Sequence, residues 1–544
     1  MKNYIFILKK YLLLNNKLQL AIVLVLTLVQ CIVVLCIPSV NLFLIDYGII
    51  KNNKELVLIL ALVMFFLYAS NSLITILNNY FMAVIGEKIG YEMRRELNEK
   101  ICKLEYSFFI RNASADLIGN FNKEIEVIKN NISYKLLRVF SNAVSLISAS
   151  FMIIYLDSKA AIIISAVCVI YIIFVRNWGK VVSRLSELSF KYNKCVLNIL
   201  INTYRNVFAI KINNAFSYIN KRFDDEYERL YSNEVKLETA YATNINIGTL
   251  IMNFATVLLW GIGGIQAALG VISIGKLTAI IGYQNMLVNP INFMCDFLNS
   301  FHNTVKAIAN YNLILNSKED VVNKSGKYLG ERIHSIKLNN IYFSYDKIPL
   351  LNGISYSFEV GKIYGIIGKS GSGKSTLAKI LVRLLIPERG EVYINNINYK
   401  ELELFSYRNE IGYVMQDSYI FHDTIINNLT FGSEKDLFHD AKYKKILQLL
   451  DEIDQMPKQW NTVLSETGQN ISGGQQKRLE IMRNLIKDAS VLIFDEAFNG
   501  IDYNRKKEIL QLLEELKKNH IIIIITHDDL ELESCDIIYN INDK

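Results

Sequence analysis

The chain has 544 residues, of which 51% are apolar and only 20% charged, with a mean hydropathy of +0.22. This excludes a disordered chain, a collagen-like repeat and an ordinary soluble enzyme. A net charge of +7 fits either a nucleic-acid partner or a membrane protein whose cations gather on one side, and the placement of Lys and Arg decides between them.

Lys2, Lys9, Lys10 and Lys17 precede an apolar run too long for the core of a signal peptide. Spans are expected at about 18–45, 56–86, 139–156, 160–175, 245–267 and 277–295, since a helix of about 20 apolar residues crosses a bilayer. Lys and Arg number 4 in the N-terminal arm, 10 in segment 87–138 and 11 in segment 176–238. The opposite connections hold only Lys51 and Lys54, then Lys159, then Lys276. That asymmetry puts both termini and both long connections in the cytoplasm and reads the charge as topology, with no nucleic acid. The long connections lack proline and space apolar residues at helical intervals, as in Met93, Leu97, Ile101 and Leu104, so they are expected to be helices reaching roughly 40 Å or more from the membrane. Seven scattered cysteines without a C-x-x-C pair fit a reducing compartment and no zinc site. The spans carry Asn71, Asn78, Asn79, Asn246, Asn253, Gln284, Asn285, Asn289 and Asn292 with Tyr68, Tyr80 and Tyr283. Helix-to-helix hydrogen bonding accounts for some of these and a substrate pathway for the rest.

After about Asn316 the pattern changes to short β-branched runs, Ile363–Ile367, Val491–Phe494 and Ile521–Ile525, alternating with helical segments, as a parallel α/β domain requires. The expected organisation is a membrane domain over 1–316, a linker over 317–331 and an α/β domain over 332–544.

Gly368, Lys369, Ser370, Gly371, Ser372, Gly373, Lys374, Ser375 and Thr376 follow a strand and open a helix, the setting of a P-loop. Its glycines let backbone N–H groups turn in on phosphate oxygens, while Lys374 supplies charge and Ser375 a hydroxyl to Mg²⁺. Val491–Phe494 delivers Asp495 and Glu496 at a strand's carboxyl end; Asp495 suits the Mg²⁺ shell and Glu496 the orientation or deprotonation of a water. Shortly before that strand stands Asn470-Ile471-Ser472-Gly473-Gly474-Gln475.

In this order the motifs resemble those of ATP-binding cassette (ABC) transporters, and the six spans resemble the exporter type of that family, so the likeness covers nearly the whole chain. It implies an all-α six-helix transmembrane domain with long cytoplasmic helices, followed by an α/β P-loop NTPase domain, with ATP and Mg²⁺ as cofactors. It further implies that Ser472, Gly473, Gly474 and Gln475 form the signature facing a partner's ATP. By the same likeness Gln416 is the Q-loop residue at Mg²⁺, Tyr345 stacks on adenine, Asp502 is the D-loop aspartate and His527 the switch histidine at the γ-phosphate. Asp502 equally fits a helix cap. Glu466 and Gly468 sit where exporters carry a segment reporting to the cytoplasmic helices, and cross-helices are placed near Ile110–Leu117 and Asn206–Ile212. Ile471, Glu480, Met482 and Phe498-Asn499-Gly500 depart from the family pattern. One P-loop and one signature imply pairing with a second half-transporter, a homodimer being the simpler choice and a heterodimer the alternative. The expected activity is ATP-driven translocation of an amphipathic substrate of low charge, a peptide, drug-like molecule or lipid, across the lipid bilayer, without leader cleavage. A membrane ATPase that senses and transports nothing is the other reading.

Overall fold

The computed structural model describes residues 2–111, 114–320, 326–345, 348–431, 437–456, 458–465 and 470–542. Contacts divide the chain into two units, Met1–Cys102 with Ser114–Ser317, and Lys103–Ala113 with Lys318–Lys544.

The first unit is helical. Five helices are long and apolar enough to cross a membrane among the described residues: Lys17–Ile49, Lys54–Ile101, Asn122–Leu156, Ser158–Arg205 and Phe216–Ala268. The sixth expected span falls on Ile274–Leu315, which is long enough but is diluted by Gln284, Asn285, Asn289 and Asn292. Two of these helices have 48 residues each, about 72 Å at the helical rise of 1.5 Å per residue, against a hydrocarbon core of about 30 Å. They therefore run on into the connections without a break. Asn53 starts the second helix by accepting from the N–H of Leu56 at 3.1 Å, and Asp157 starts the fourth by accepting from Lys159 N–H at 2.9 Å. Ile153, Ile164, Tyr171, Met252 and Tyr283 are among the residues of one buried cluster.

The second unit contains two sheets. Strands β1 (Ser335–Tyr345), β2 (Ile348–Glu359), β4 (Arg389–Ile394) and β5 (Ile397–Asn398) form an antiparallel sheet in the order β2-β1-β4-β5. Strands β3 (Ile363–Ile367), β6 (Ile411–Val414), β7 (Val491–Asp495), β8 (Ile521–Ile525) and β9 (Ile537–Asn540) form a parallel sheet in the order β6-β7-β8-β3-β9. β7 and β8 are buried at every residue, which is why they read as unbroken apolar runs. Ile521, Ile523 and Ile525 enter one core and Ile522 and Ile524 the other, on opposite faces of the sheet.

Much of the expected linker packs on this unit. Glu105 N–H donates to Lys318 O at 3.2 Å and Asp320 N–H to Lys103 O at 2.8 Å, while Leu329 is buried in the core. A short helix, Tyr106–Arg111, overlaps the start of the expected Ile110–Leu117 segment, and Tyr106 packs against the core of this unit with Lys379 Nζ 5.5 Å from its ring centre. Residues 112–113 lie outside the described residues, and a separate helix follows over Ser114–Lys129. The other short helix is Val207–Ile212. Glu466 and Gly468 also fall outside the described residues.

Candidate functional site

Parallel pairing brings the carboxyl ends of four strands to one edge, so Gln416 after β6, Asp495 and Glu496 at β7, His527 after β8 and the glycine-rich turn after β3 face one place.

The turn depends on its glycines. Gly371 and Gly373 have φ of +77° and +99°, and a Cβ on Gly373 would stand 2.6 Å from Leu351. Gly373 opens the helix Lys374–Leu381, which contains Ser375 and the buried Thr376. Lys374 is also buried and donates to the carbonyls of Gly368 at 2.8 Å and Lys369 at 3.1 Å. Ser370 and Ser372 complete the turn, and Ser372 Oγ is buried without a partner.

Asp495 is 1% exposed. Its carboxylate accepts from Ser375 Oγ and from the hydroxyl of Tyr413, each at 3.1 Å. Burial pushes its carboxyl above the usual carboxylate range, against the pull of those two hydroxyls. Among the described residues no cation pairs with it within ion-pair distance. A buried carboxylate bonded by hydroxyls alone suits a metal ion, and the hydroxyl, carboxylate and carboxamide oxygens of Ser375, Asp495 and Gln416 are the hard donors Mg²⁺ takes. Among the described residues no group of three or more His, Cys, Asp or Glu side chains is arranged to hold a metal ion by itself.

Glu496 adopts φ of +47°, uncommon for a residue with a side chain. Its N–H donates to Ile525 O at 2.9 Å. Its carboxylate accepts from Gln416 Nε2 at 3.1 Å and Asn499 Nδ2 at 3.4 Å, and His527 Nε2 stands 4.0 Å away. Asn499, one of the departures from the family pattern, thus touches the residue next to Asp495. Tyr345 is half-buried, edge-on to Phe343 with ring centres 5.0 Å apart, and borders a cavity of about 300 Å³.

Ser472 and Gln475 cap the helix Gly473–Lys487 reciprocally: Gln475 N–H donates to Ser472 Oγ at 3.2 Å and Ser472 N–H to Gln475 Oε1 at 2.8 Å. They share no hydrogen bond with the glycine-rich turn among the described residues. A Cβ on Gly474 would lie 2.9 Å from Gly500 O, so a glycine is needed where the first turn of this helix meets Gly500. Asp502 caps the helix Tyr503–Leu516 by accepting from Arg505 N–H at 3.0 Å, and also accepts from Arg478 at 3.4 Å.

Sequence reasoning missed Tyr413 and Lys477. Tyr413 reaches Asp495 only because β6 and β7 pair in register. Lys477 donates to the carbonyls of Met415, at 2.8 Å, and Gln416, while Glu480, one turn on, accepts from Met415 N–H at 3.3 Å. Burial lowers the Lys477 ammonium and raises the Glu480 carboxyl from their usual values.

Both parts of the chain are similar to known proteins. A family model described as ABC transporter matches residues 351–499, and one described as ABC transporter transmembrane region matches residues 20–291. The lactococcin-G-processing and transport ATP-binding protein LagD of Lactococcus lactis subsp. lactis is 29% identical over 523 residues, covering 90% of this chain and 70% of that protein. The ATP-dependent lipid A-core flippase of Syntrophus aciditrophicus (strain SB) is 25% identical over 483 residues, covering 88% and 80%. Among solved structures, a bacterial Atm1-family ABC exporter with ATP bound is similar with a TM-score of 0.81 and 22% identity, over 97% of this chain and 94% of that one; at that identity the likeness concerns the fold.

Proposed function

The chain belongs to the ABC transporter family, and from that premise we propose that it exports an amphipathic substrate of low charge across the cell membrane as one half of a dimer. Its cassette binds and hydrolyses ATP. The observation that carries the reading is the convergence of Lys374, Ser375, Gln416, Asp495 and Glu496 on one sheet edge, in a chain whose other unit consists of membrane-length helices.

In this reading the N–H groups of Gly371–Thr376 cradle the phosphates, Lys374 leaves the carbonyls of Gly368 and Lys369 for the β- and γ-phosphates, and Tyr345 stacks on adenine. Ser375, Asp495 and Gln416 hold Mg²⁺, which when bound neutralises charge on the phosphates. Glu496 takes or orients the proton of the attacking water, and His527 approaches the γ-phosphate. The segment Ser472–Gln475, exposed at Ser472 and Gly473 and capped but not spent on its own P-loop, offers a helix N-terminus to the ATP of the partner cassette. Six spans, with Ile274–Leu315 providing the sixth, and cytoplasmic termini follow from the Lys and Arg asymmetry. A homodimer needs nothing beyond this chain's own residues.

The test is ATP-dependent accumulation in inside-out vesicles, alongside ATP turnover, for a panel of peptides, drug-like molecules and lipids. Accumulation that is lost with Glu496→Gln is expected. Turnover without accumulation of any class would favour a sensing ATPase.

A further inference from the structure

The first unit holds a cavity of about 410 Å³ bounded by the helices Lys17–Phe43, Lys54–Ile101, Leu136–Leu156 and Ile274–Leu315. Its lining includes the carboxamides of Gln30, Asn78, Asn79, Asn142, Asn289 and Asn292 beside hydroxyls, and the guanidinium of Arg138. The carboxamides of Gln30, Asn78, Asn79, Asn289 and Asn292 lie within the expected spans, where polar side chains are costly and face a partner or a pathway, while Arg138 and Asp296 stand just beyond the span ends.

Much of this polarity is already paired. Asn78 Nδ2 donates to Gln30 Oε1 at 3.1 Å, and Gln30 Nε2 donates to Thr75 Oγ1 at 2.8 Å and to Asn71 Oδ1 at 3.3 Å. Asn292 accepts from the hydroxyl of Tyr171. Two features are left over. Asn78 is 4% exposed, yet its Oδ1 has no partner. Arg138 NH2 donates to the neutral Asn79 Oδ1 at 3.1 Å and its guanidinium lies 5.5 Å from the Tyr134 ring centre, but no carboxylate is within ion-pair distance of it among the described residues. The cavity therefore asks for an N–H or O–H donor at Asn78 and for an acceptor at Arg138.

We propose that this cavity is a subsite for polypeptide backbone, holding an extended peptide segment whose N–H donates to Asn78 Oδ1 and whose carbonyl oxygens accept from Arg138. The proposal rests on the export reading above and narrows its substrate to peptides. A carboxamide presents the same donor and acceptor as a peptide bond. A peptide leaving water for the membrane must have both groups satisfied, and a row of carboxamides does that without selecting side chains. An acyl chain has no use for such a wall. A glycan would ask for aromatic platforms, and Phe293 is the one ring among the cavity's lining residues. Arg138 and Asp296, which also lines the cavity, carry opposite charges, so strong net charge of either sign is not favoured.

The experiment uses the full chain in lipid nanodiscs with three probes: a short uncharged peptide of Gly, Ser and Val, its N-methylated counterpart, and a short-chain phosphatidylethanolamine. Two readouts are taken, stimulation of ATP turnover and cross-linking of a benzophenone-bearing form of each probe, mapped by mass spectrometry. The peptide is expected to stimulate turnover and to cross-link to the cavity wall. Asn78→Leu should weaken its half-saturation by about tenfold, the worth of one buried hydrogen bond. Equal action by the N-methylated peptide, stimulation by phosphatidylethanolamine with the peptide inert, or peptide cross-links confined to positions outside the cavity would overturn the assignment. Cross-linking is read without ATP and on the unaltered chain, so it decides the site whether or not Asn78→Leu folds. Absence of turnover with the peptide still cross-linked to the cavity would sink the transport ATPase reading and leave the subsite standing.

Discussion

The carboxamide of Gln416 donates to the carboxylate of Glu496 at 3.1 Å, tying the loop after β6 to the loop after β7. Glu496 holds this place at φ of +47°, a conformation costing a residue with a side chain on the order of 1–2 kcal/mol. Backbone strain of this kind persists where neighbours over-determine it, and such places cluster at functional sites. Glu496→Gln keeps the shape and removes the base. ATP binding is expected to be retained while steady-state turnover falls by about 10²- to 10⁴-fold. Phosphate release measured beside equilibrium ATP binding checks this, and wild-type turnover in the variant would remove Glu496 from the role.

Gly373 offers a second test, independent of charge. Its φ of +99°, and the 2.6 Å that would separate an added Cβ from Leu351, mean that Gly373→Ala strains the turn and pushes on a neighbouring side chain. The cost should be roughly 1–3 kcal/mol, seen as weaker ATP binding and a lower melting temperature. Gly361 also has positive φ, +93°, but open space around its Cβ, so Gly361→Ala serves as the control with strain alone. If Gly373→Ala binds ATP as the parent does, the turn is not where phosphate sits.

The contrast between these positions indicates what a sequence carries. The glycine-rich turn, the buried strands β3, β7 and β8 and the pair Asp495-Glu496 were legible because each is written in consecutive residues: glycines where φ must be positive, isoleucines where both faces are covered. Tyr413 was not legible, since its bond to Asp495 depends on how β6 and β7 align. Nor was the antiparallel sheet, because the alternation of buried and exposed residues along Ser335–Tyr345 changes phase where the register shifts around Asn339 and Asn340. Glu480 was visible as an oddity but not explained, because its partner, the N–H of Met415, lies 65 residues away. The spans were read from apolar runs, yet whether Asn78 or Asn292 serves packing or a pathway depends on which neighbours the helices bring.

Lys477 and Glu480 hold the backbone on either side of the Met415–Gln416 peptide from one helix whose start is Ser472. Lys477→Met removes charge-assisted bonds worth about 1.5–3 kcal/mol and frees Gln416 to move away from Glu496. ATP affinity should change little and the maximal turnover should drop roughly tenfold or more, since 1.4 kcal/mol corresponds to a factor of ten. Titrating ATP against turnover separates the two effects. A change in ATP affinity with unaltered maximal turnover would mean that the lysine acts on nucleotide binding and not on the position of Gln416.

Asp528 follows the candidate switch residue His527, and Lys506 donates to its carboxylate at 2.8 Å. That bond holds the Asp528 carboxyl below the usual range, so the interaction stabilises the fold above the unfolded value of about 3.9 and is lost as pH falls through the lower folded value. Asp528 is 40% exposed in its side chain, and screening limits the contribution to less than about 1 kcal/mol. Asp528 also caps the short helix Asp529–Glu533 by accepting from the N–H groups of Leu530 and Glu531 at 3.1 and 3.4 Å. Asparagine caps equally well, so Asp528→Asn removes the charge and spares the cap. At pH 7 the variant should melt slightly below the parent, and the gap should shrink as both are acidified below the unfolded value of about 3.9. A gap that does not shrink with acidification would mean that the substitution disturbs the cap or the packing of Lys506, and that the ion pair contributes nothing to the stability of the segment behind His527.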